Sequence, residues 1–192
     1  MIIQVKNIFV LVAIAGTLSL YSCKENKEKV ENQEPMQQES HEGEMGSQMK
    51  DELEMDKTTA EFKDLATAKL YNHYIAIKTA LVQTDAEAAQ VQAKKLIAEL
   101  ENTEVNIEIA TAARNISTST NVNEQREAFS ELTKFMGPVL EGALNSGEIY
   151  KQYCPMAFEG KGDFWFSNSK AIRNPYIGDK MLKCGRIEST IN

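Results

Sequence analysis

The chain is poor in the residues that usually build a catalytic or metal centre. Its 192 residues include three cysteines, two histidines, four prolines and one tryptophan. His41 and His73 do not form a pair at metal-ligand spacing. There is no Gly-x-Ser-x-Gly elbow, no phosphate-cradling glycine loop, and no cysteine with a histidine and an orienting group to make it a nucleophile. Carboxylates are plentiful, but on polar stretches and helix surfaces they read as solvated faces. An enzyme is therefore not expected. Cations are also short, at 21 Lys and Arg against 28 Asp and Glu for a net charge of −7. Contacts to phosphate need clustered Lys and Arg, so nucleic acid is not an expected partner.

Long apolar runs are missing except at the start. Met1 to Ser22 has Lys6, then "IFVLVAIAGTLSLY", then a small residue before Cys23, the form of an export signal rather than of a folded element. The run is shorter than the roughly 20 residues that span a bilayer. Leu20-Tyr21-Ser22-Cys23 resembles the lipobox of bacterial lipoproteins, in which cleavage leaves the cysteine as an acylated N-terminus. That resemblance implies a membrane anchor at Cys23 and a place in the cell envelope, periplasmic or on the outer membrane. The alternative is ordinary secretion with Cys23 incidental. From 23 to 57 the chain is acidic and almost free of aliphatic residues, and such a segment reads as a disordered tether. Met36, His41, Met45, Met49 and Met55 are scattered through it, either as a loose soft-metal tail or as incidental residues of a solvated linker.

The rest, 58 to 192, has the size of one domain. Phe62, Leu65, Ala66, Leu70, Tyr74, Ile77 and Leu81 step by three and four, one face of a helix. Thr84-Asp85-Ala86-Glu87 has the form of a capping box, and Ala89, Ala93, Leu96, Ile97 and Leu100 continue a second helix, antiparallel across a short join. Residues 102 to 120 carry both a strand-like alternation and a helical step; a helix is favoured because alanines prefer it. "STSTNVN" predicts a loop from Ser117 to Asn123. A last helix carries Phe129, Leu132, Met136, Val139, Leu140 and Ala143, with a kink near Met136 from Pro138 and a stop at Gly147. The fold class predicted is mainly all-α, an up-and-down bundle of three to four helices.

After Ser146 the composition changes. The only tryptophan, Trp165, stands with Tyr150, Tyr153, Phe158, Phe164, Phe166 and Tyr176 in a glycine- and proline-containing stretch without helical period. A small aromatic, loop-rich cap is expected, with "IYKQYCPM" paired to "GDFWFS" as a hairpin. Its aromatic side chains are expected to form a small core.

Two of the three cysteines lie in this cap, each close to a methionine. Cys154 and Met156 project to one side of an extended chain, and Met181 meets Cys184 if 180 to 185 makes a helical turn. Face to face, the four would form a thiolate and thioether cage selective for Cu(I) or Ag(I), shielded by Trp165 and stiffened by Pro155 and Pro175. The competing reading is a Cys154–Cys184 disulfide in an oxidising envelope, and a third is plain buried thiols. A redox-switchable site would join the first two. His73, one step from the apolar face, reads as a boundary residue rather than a ligand.

The segment "IYKQYCPMAFEGKGDFWFSNSKAIRNPYIGDKMLKCGRIESTI", with "YIAIKTALV" at 74 to 82, resembles the domain of unknown function 3347 family. Its members occur in exported bacterial lipoproteins and appended to CusB-type copper and silver efflux adaptors. The matching parts are "YCPMA", Gly162-Asp163 with Trp165, "IRNPY" and "GDKMLKCG", and the resemblance covers nearly all of 58 to 192. It implies a lipid-anchored envelope protein that handles copper or silver, with a metal-efflux adaptor or another envelope protein as partner. "YCPM" also resembles the opening of a short heavy-metal-binding motif, with Ala157 and Phe158 where that motif has His-Pro.

Overall fold

The computed structural model describes residues 59–101 and 107–192. The expected signal, Cys23 and the expected tether with its methionines and His41 lie outside the described residues.

Four helices form the body: α1 (Leu65–Val82), α2 (Ala86–Leu100), α3 (Ile107–Thr118) and α4 (Val122–Leu140). Each packs on the next, and α4 returns against α1. The core is the stripe the spacing requires. Tyr74, Ile77 and Leu81 of α1 meet Ala89, Ala93 and Leu96 of α2, Ala112, Ala113 and Ile116 of α3, and Phe129, Leu132 and Met136 of α4.

Several expected boundaries shift, each for a local reason. Leu65 is 72% exposed, because Asp64 caps α1 by accepting from the Thr67 N–H at 2.7 Å and the buried stripe begins at Tyr71. Phe62 precedes the helix, in a two-residue strand β1 (Glu61–Phe62). The cap of α2 is Asp85, whose carboxylate accepts from the Ala88 N–H at 2.8 Å. Thr84 is not that cap; it sits at φ +58°, a conformation costly for a β-branched residue. The loop expected from Ser117 to Asn123 is shorter, since α3 runs to Thr118 and α4 starts at Val122 with Asn121 as its cap.

The last helix runs through Pro138 and ends at Leu140. Gly142, at φ +66°, stands just past its end, so the expected stop at Gly147 is misplaced. Leu144–Ser146 is instead a strand, β2, antiparallel to β1. Gly147 serves a different purpose: a Cβ there would lie 2.4 Å from the Thr59 carbonyl oxygen, so the two ends of the bundle meet over a bare backbone.

The cap contains β3 (Ile149–Cys154) and β4 (Asp163–Ser167), paired in the expected hairpin with Cys154 opposite Asp163. Between them lies a one-turn α5 (Ala157–Gly160), where Phe158 and Glu159 are both left-handed. A third strand the sequence reading missed, β5 (Arg186–Ile191), pairs with the other edge of β3. The sheet order is β4-β3-β5, and β4 lies against α4.

Candidate site at the junction of cap and bundle

The cap's own core is a ring of aromatics around Tyr176. Its ring is T-shaped to Trp165 at 5.9 Å, tilted to Phe158 at 5.0 Å, and tilted to Phe129 of the bundle at 6.0 Å. The Tyr176 hydroxyl donates to the Phe164 carbonyl at 2.5 Å. Burial pushes its pKa well above the ordinary tyrosine value, so it serves as a fixed donor and not as an acid. Trp165 is fully buried and donates from Nε1 to Gln152 Oε1 at 2.8 Å. Gln152 in turn donates to the Ser169 and Ala171 carbonyls.

The 172–184 loop has no regular ladder, and Asn174 supplies what one would. Its Oδ1 accepts from the Tyr176 and Ile177 N–H groups, and its Nδ2 donates to the Cys184 carbonyl at 2.9 Å. Gly178 N–H closes back on the Asn174 carbonyl at 3.0 Å. A turn of 3₁₀-helix, Gly178–Met181, follows.

Arg126 fastens this loop to the bundle. Its Nε donates to the Pro175 carbonyl at 2.9 Å, its Nη2 to the Leu81 carbonyl and to Thr84 Oγ1, and its Nη1 to Asn123 Oδ1. Thr84 passes the chain of bonds on to Asp179 at 3.2 Å, which explains why a threonine is held left-handed at this turn. Burial pushes the Arg126 pKa down and the nearby Asp179 pulls it back up; guanidinium keeps its proton in either case. Gly178 completes the joint, since a Cβ there would lie 2.4 Å from Arg126 Nη2 and 2.5 Å from Thr84 Oγ1. On the other side of the junction, Tyr74 shares a hydrogen bond with Thr133 at 3.0 Å and accepts from the Phe166 N–H. Ser130 donates to Asp163 Oδ2 at 2.5 Å.

Cys154 and Cys184 are joined in a disulfide, with Cα atoms 5.8 Å apart. Cys154 is fully buried and Cys184 partly so. Met156 and Met181 are 54% and 45% exposed. Both line one cavity of about 480 Å³, together with Phe158 and Tyr176. The structure thus brings the cysteines together as a bond and the methionines together over a cavity. A four-sulfur cage is not assembled in this form, because neither cysteine sulfur is a thiolate and neither lines that cavity. Among the described residues no group of three or more His, Cys, Asp or Glu could hold a metal ion. The backbone of Cys184 closes a turn on Met181, its N–H donating to the Met181 carbonyl at 3.0 Å. Trp165 packs beside this turn, close enough that a Cβ on Gly185 would lie 2.9 Å from its ring.

His73 lies apart from the junction, half-buried on α1. Desolvation pushes its pKa down; Glu99 pulls it up, and Lys95 and Lys69 add to the downward shift.

Arg126 and Asn174 are the residues that sequence reading missed. A signal existed for the first. The α4 stripe of Phe129, Leu132 and Met136, extended one turn back, lands on Gln125 and Arg126, and both are buried. Polar residues at core spacing mean dedicated partners.

No curated protein and no solved structure matches the chain. One family model does, over residues 70–146. The match runs from inside α1 to the end of β2 and leaves out the cysteine-bearing cap, which the sequence resemblance had placed within the family's reach. Residues 70–146, most of the helical part of this chain, match the model of the family described as protein of unknown function (DUF3347).

Proposed function

We propose that the chain is a non-enzymatic interaction module of the cell envelope, anchored through a lipidated Cys23, whose disulfide-locked cap is a rigid surface offered to a partner protein. The observation that carries this reading is the Cys154–Cys184 disulfide, since such bonds persist in oxidising compartments and are rare in reducing ones. The export signal and the lipobox-like "LYSC" agree with that compartment. The non-enzymatic reading rests on how the buried polar groups are used. Arg126, Asn174 and Gln152 spend their hydrogen bonds on backbone carbonyls, amides and neighbouring side chains of the junction.

The test is to express the full chain in a bacterium and fractionate it with thiols blocked at lysis. The expected result is a membrane-bound protein with acyl chains on Cys23, released to the soluble fraction by Cys23→Ala, with Cys154 and Cys184 refractory to alkylation. A soluble wild-type chain with both thiols alkylated would overturn the reading.

A second reading, binding of a soft ion such as Cu(I) or Ag(I) in support of a metal-efflux system, is favoured by one observation: Met156 and Met181 line the same cavity.

A further inference from the structure

Six large apolar side chains are exposed among the described residues: Leu65, Val91, Ile107, Met156, Met181 and Ile187. Two of them line one cavity, and those two are methionines. Met136, the remaining methionine of the described residues, is fully buried in the bundle core. Packing therefore accounts for Met136, but it does not account for a pair of half-exposed thioethers over a common void of about 480 Å³.

The two reach the cavity from opposite ends of the disulfide. Met156 follows Cys154 by two residues, and Met181 precedes Cys184 by three, in the turn closed by the Cys184 N–H. The covalent bond holds their segments side by side without lending its own sulfurs. Glu127 and Glu159 also line the cavity, and so do the cations Arg126 and Lys180. Neither carboxylate has a side-chain hydrogen-bond or ion-pair partner among the described residues. Phe158 and Tyr176 form aromatic walls.

We propose that this cavity is a site for one monovalent soft metal ion, Ag(I) or Cu(I), held by the thioether sulfurs of Met156 and Met181 while the Cys154–Cys184 disulfide stays closed. The proposal rests on the second reading above and gives it a ligand set that needs no free cysteine. Thioethers are soft and select such ions over Mg²⁺ or Ca²⁺. They are neutral and carry no proton to displace, so uptake does not require the deprotonation that thiolate or imidazole ligands do. The charged groups of the lining balance, Glu127 and Glu159 against Arg126 and Lys180, so the ion is held by the thioethers and by the aromatic face, which attracts a nearby cation.

The experiment is a titration of the full, disulfide-closed chain with Cys23→Ala, so that no free thiol competes, carrying methyl-¹³C methionine, with silver nitrate in chloride-free buffer. The methyl signals of Met156 and Met181, identified by Met156→Leu and Met181→Leu, are expected to shift together and saturate at one ion per chain. Met36, Met45, Met49 and Met55 should follow only at higher silver, and the Met136 signal should stay in place. Each leucine variant should weaken the first binding event at least tenfold, without changing the melting temperature by more than a few degrees. If the first equivalent leaves Met156 and Met181 unmoved, or if the leucine variants bind it as well as wild type, the site does not exist. The same titration after reduction separates the two ideas. Silver taken up only by reduced chain, and lost in Cys154→Ser, refutes the methionine site but keeps soft-metal binding. No uptake in either state removes both.

Discussion

The bundle and the cap are held together by different means. In the bundle, each helix buries an apolar stripe against its neighbours, and the start of a helix such as α2 is set by a local cap, Asp85. Such a structure is distributed: many contacts of similar size share the load. In the cap, short strands and a loop without a regular ladder are held by a few specific fasteners: the disulfide, the Asn174 bonds, the Trp165–Gln152 pair and the reach of Arg126. The lesson is that damage should spread through the bundle but localise in the cap.

The largest effect belongs to the bundle. Phe129 is fully buried and stacks on Tyr74 with ring centroids 4.9 Å apart. Phe129→Ala should cost about 3–5 kcal/mol, lowering the melting temperature followed by helical circular dichroism and by Trp165 fluorescence alike.

Reduction of the disulfide comes next. Its two cysteines are 30 positions apart, and a loop of that length corresponds to roughly 3–4 kcal/mol in the chain-entropy model. The loss should register first at Trp165, as a red shift of emission with little change in helical signal. A helical signal that fell in step would break the proposed contrast.

Arg126→Met keeps the bulk of the stem and removes the donors. Hydrogen bonds from a charged group are worth about 1.5–3 kcal/mol, so a loss of about 2–3 kcal/mol is expected in denaturant titrations. The affected signals should be those of the 172–184 loop and the Thr84 turn, read by amide chemical shifts, with α2 and α3 unchanged.

Smaller again is Asp85→Ala, which removes the cap of α2 and should cost about 1 kcal/mol, uniformly across the bundle. The smallest effect concerns pH. Desolvation lowers the His73 pKa in the folded chain, so the unfolded chain takes up the proton first as pH falls below about 6.5. Stability should therefore decline with acidification from that point down to the depressed folded value and level off below it. His73→Gln should flatten that part of a stability-against-pH curve.

What the sequence made legible follows the same division. The helices of the bundle were readable because burial repeats every three to four residues, and residues such as Tyr74, Ile77, Leu81, Phe129 and Leu132 announce their face. Their ends were less readable, because Thr84 looks like a cap and is instead a left-handed residue claimed by Arg126 and Asp179 from distant parts of the chain. In the cap, the β3–β4 pairing was legible from its aromatic residues and its glycine-containing turn. The third strand, "RIESTI", is mostly exposed and leaves no apolar pattern to read. At the candidate site, the sequence singled out four sulfur residues and left a cage, a Cys154–Cys184 disulfide and plain thiols open; the structure has the disulfide. How the four divide depends on which side chains the tertiary fold turns inward, and Cys154 is fully buried while Met156, two positions on, is not.

The most direct test of the account is amide hydrogen exchange on the disulfide-closed and the reduced chain at one temperature. The account predicts that reduction strips protection from β3, β4, β5 and the 172–184 loop and leaves the amides of α1 to α4 slow. Equal loss across helices and strands, or no change anywhere, would contradict it, because the disulfide would then not be a fastener of the cap itself.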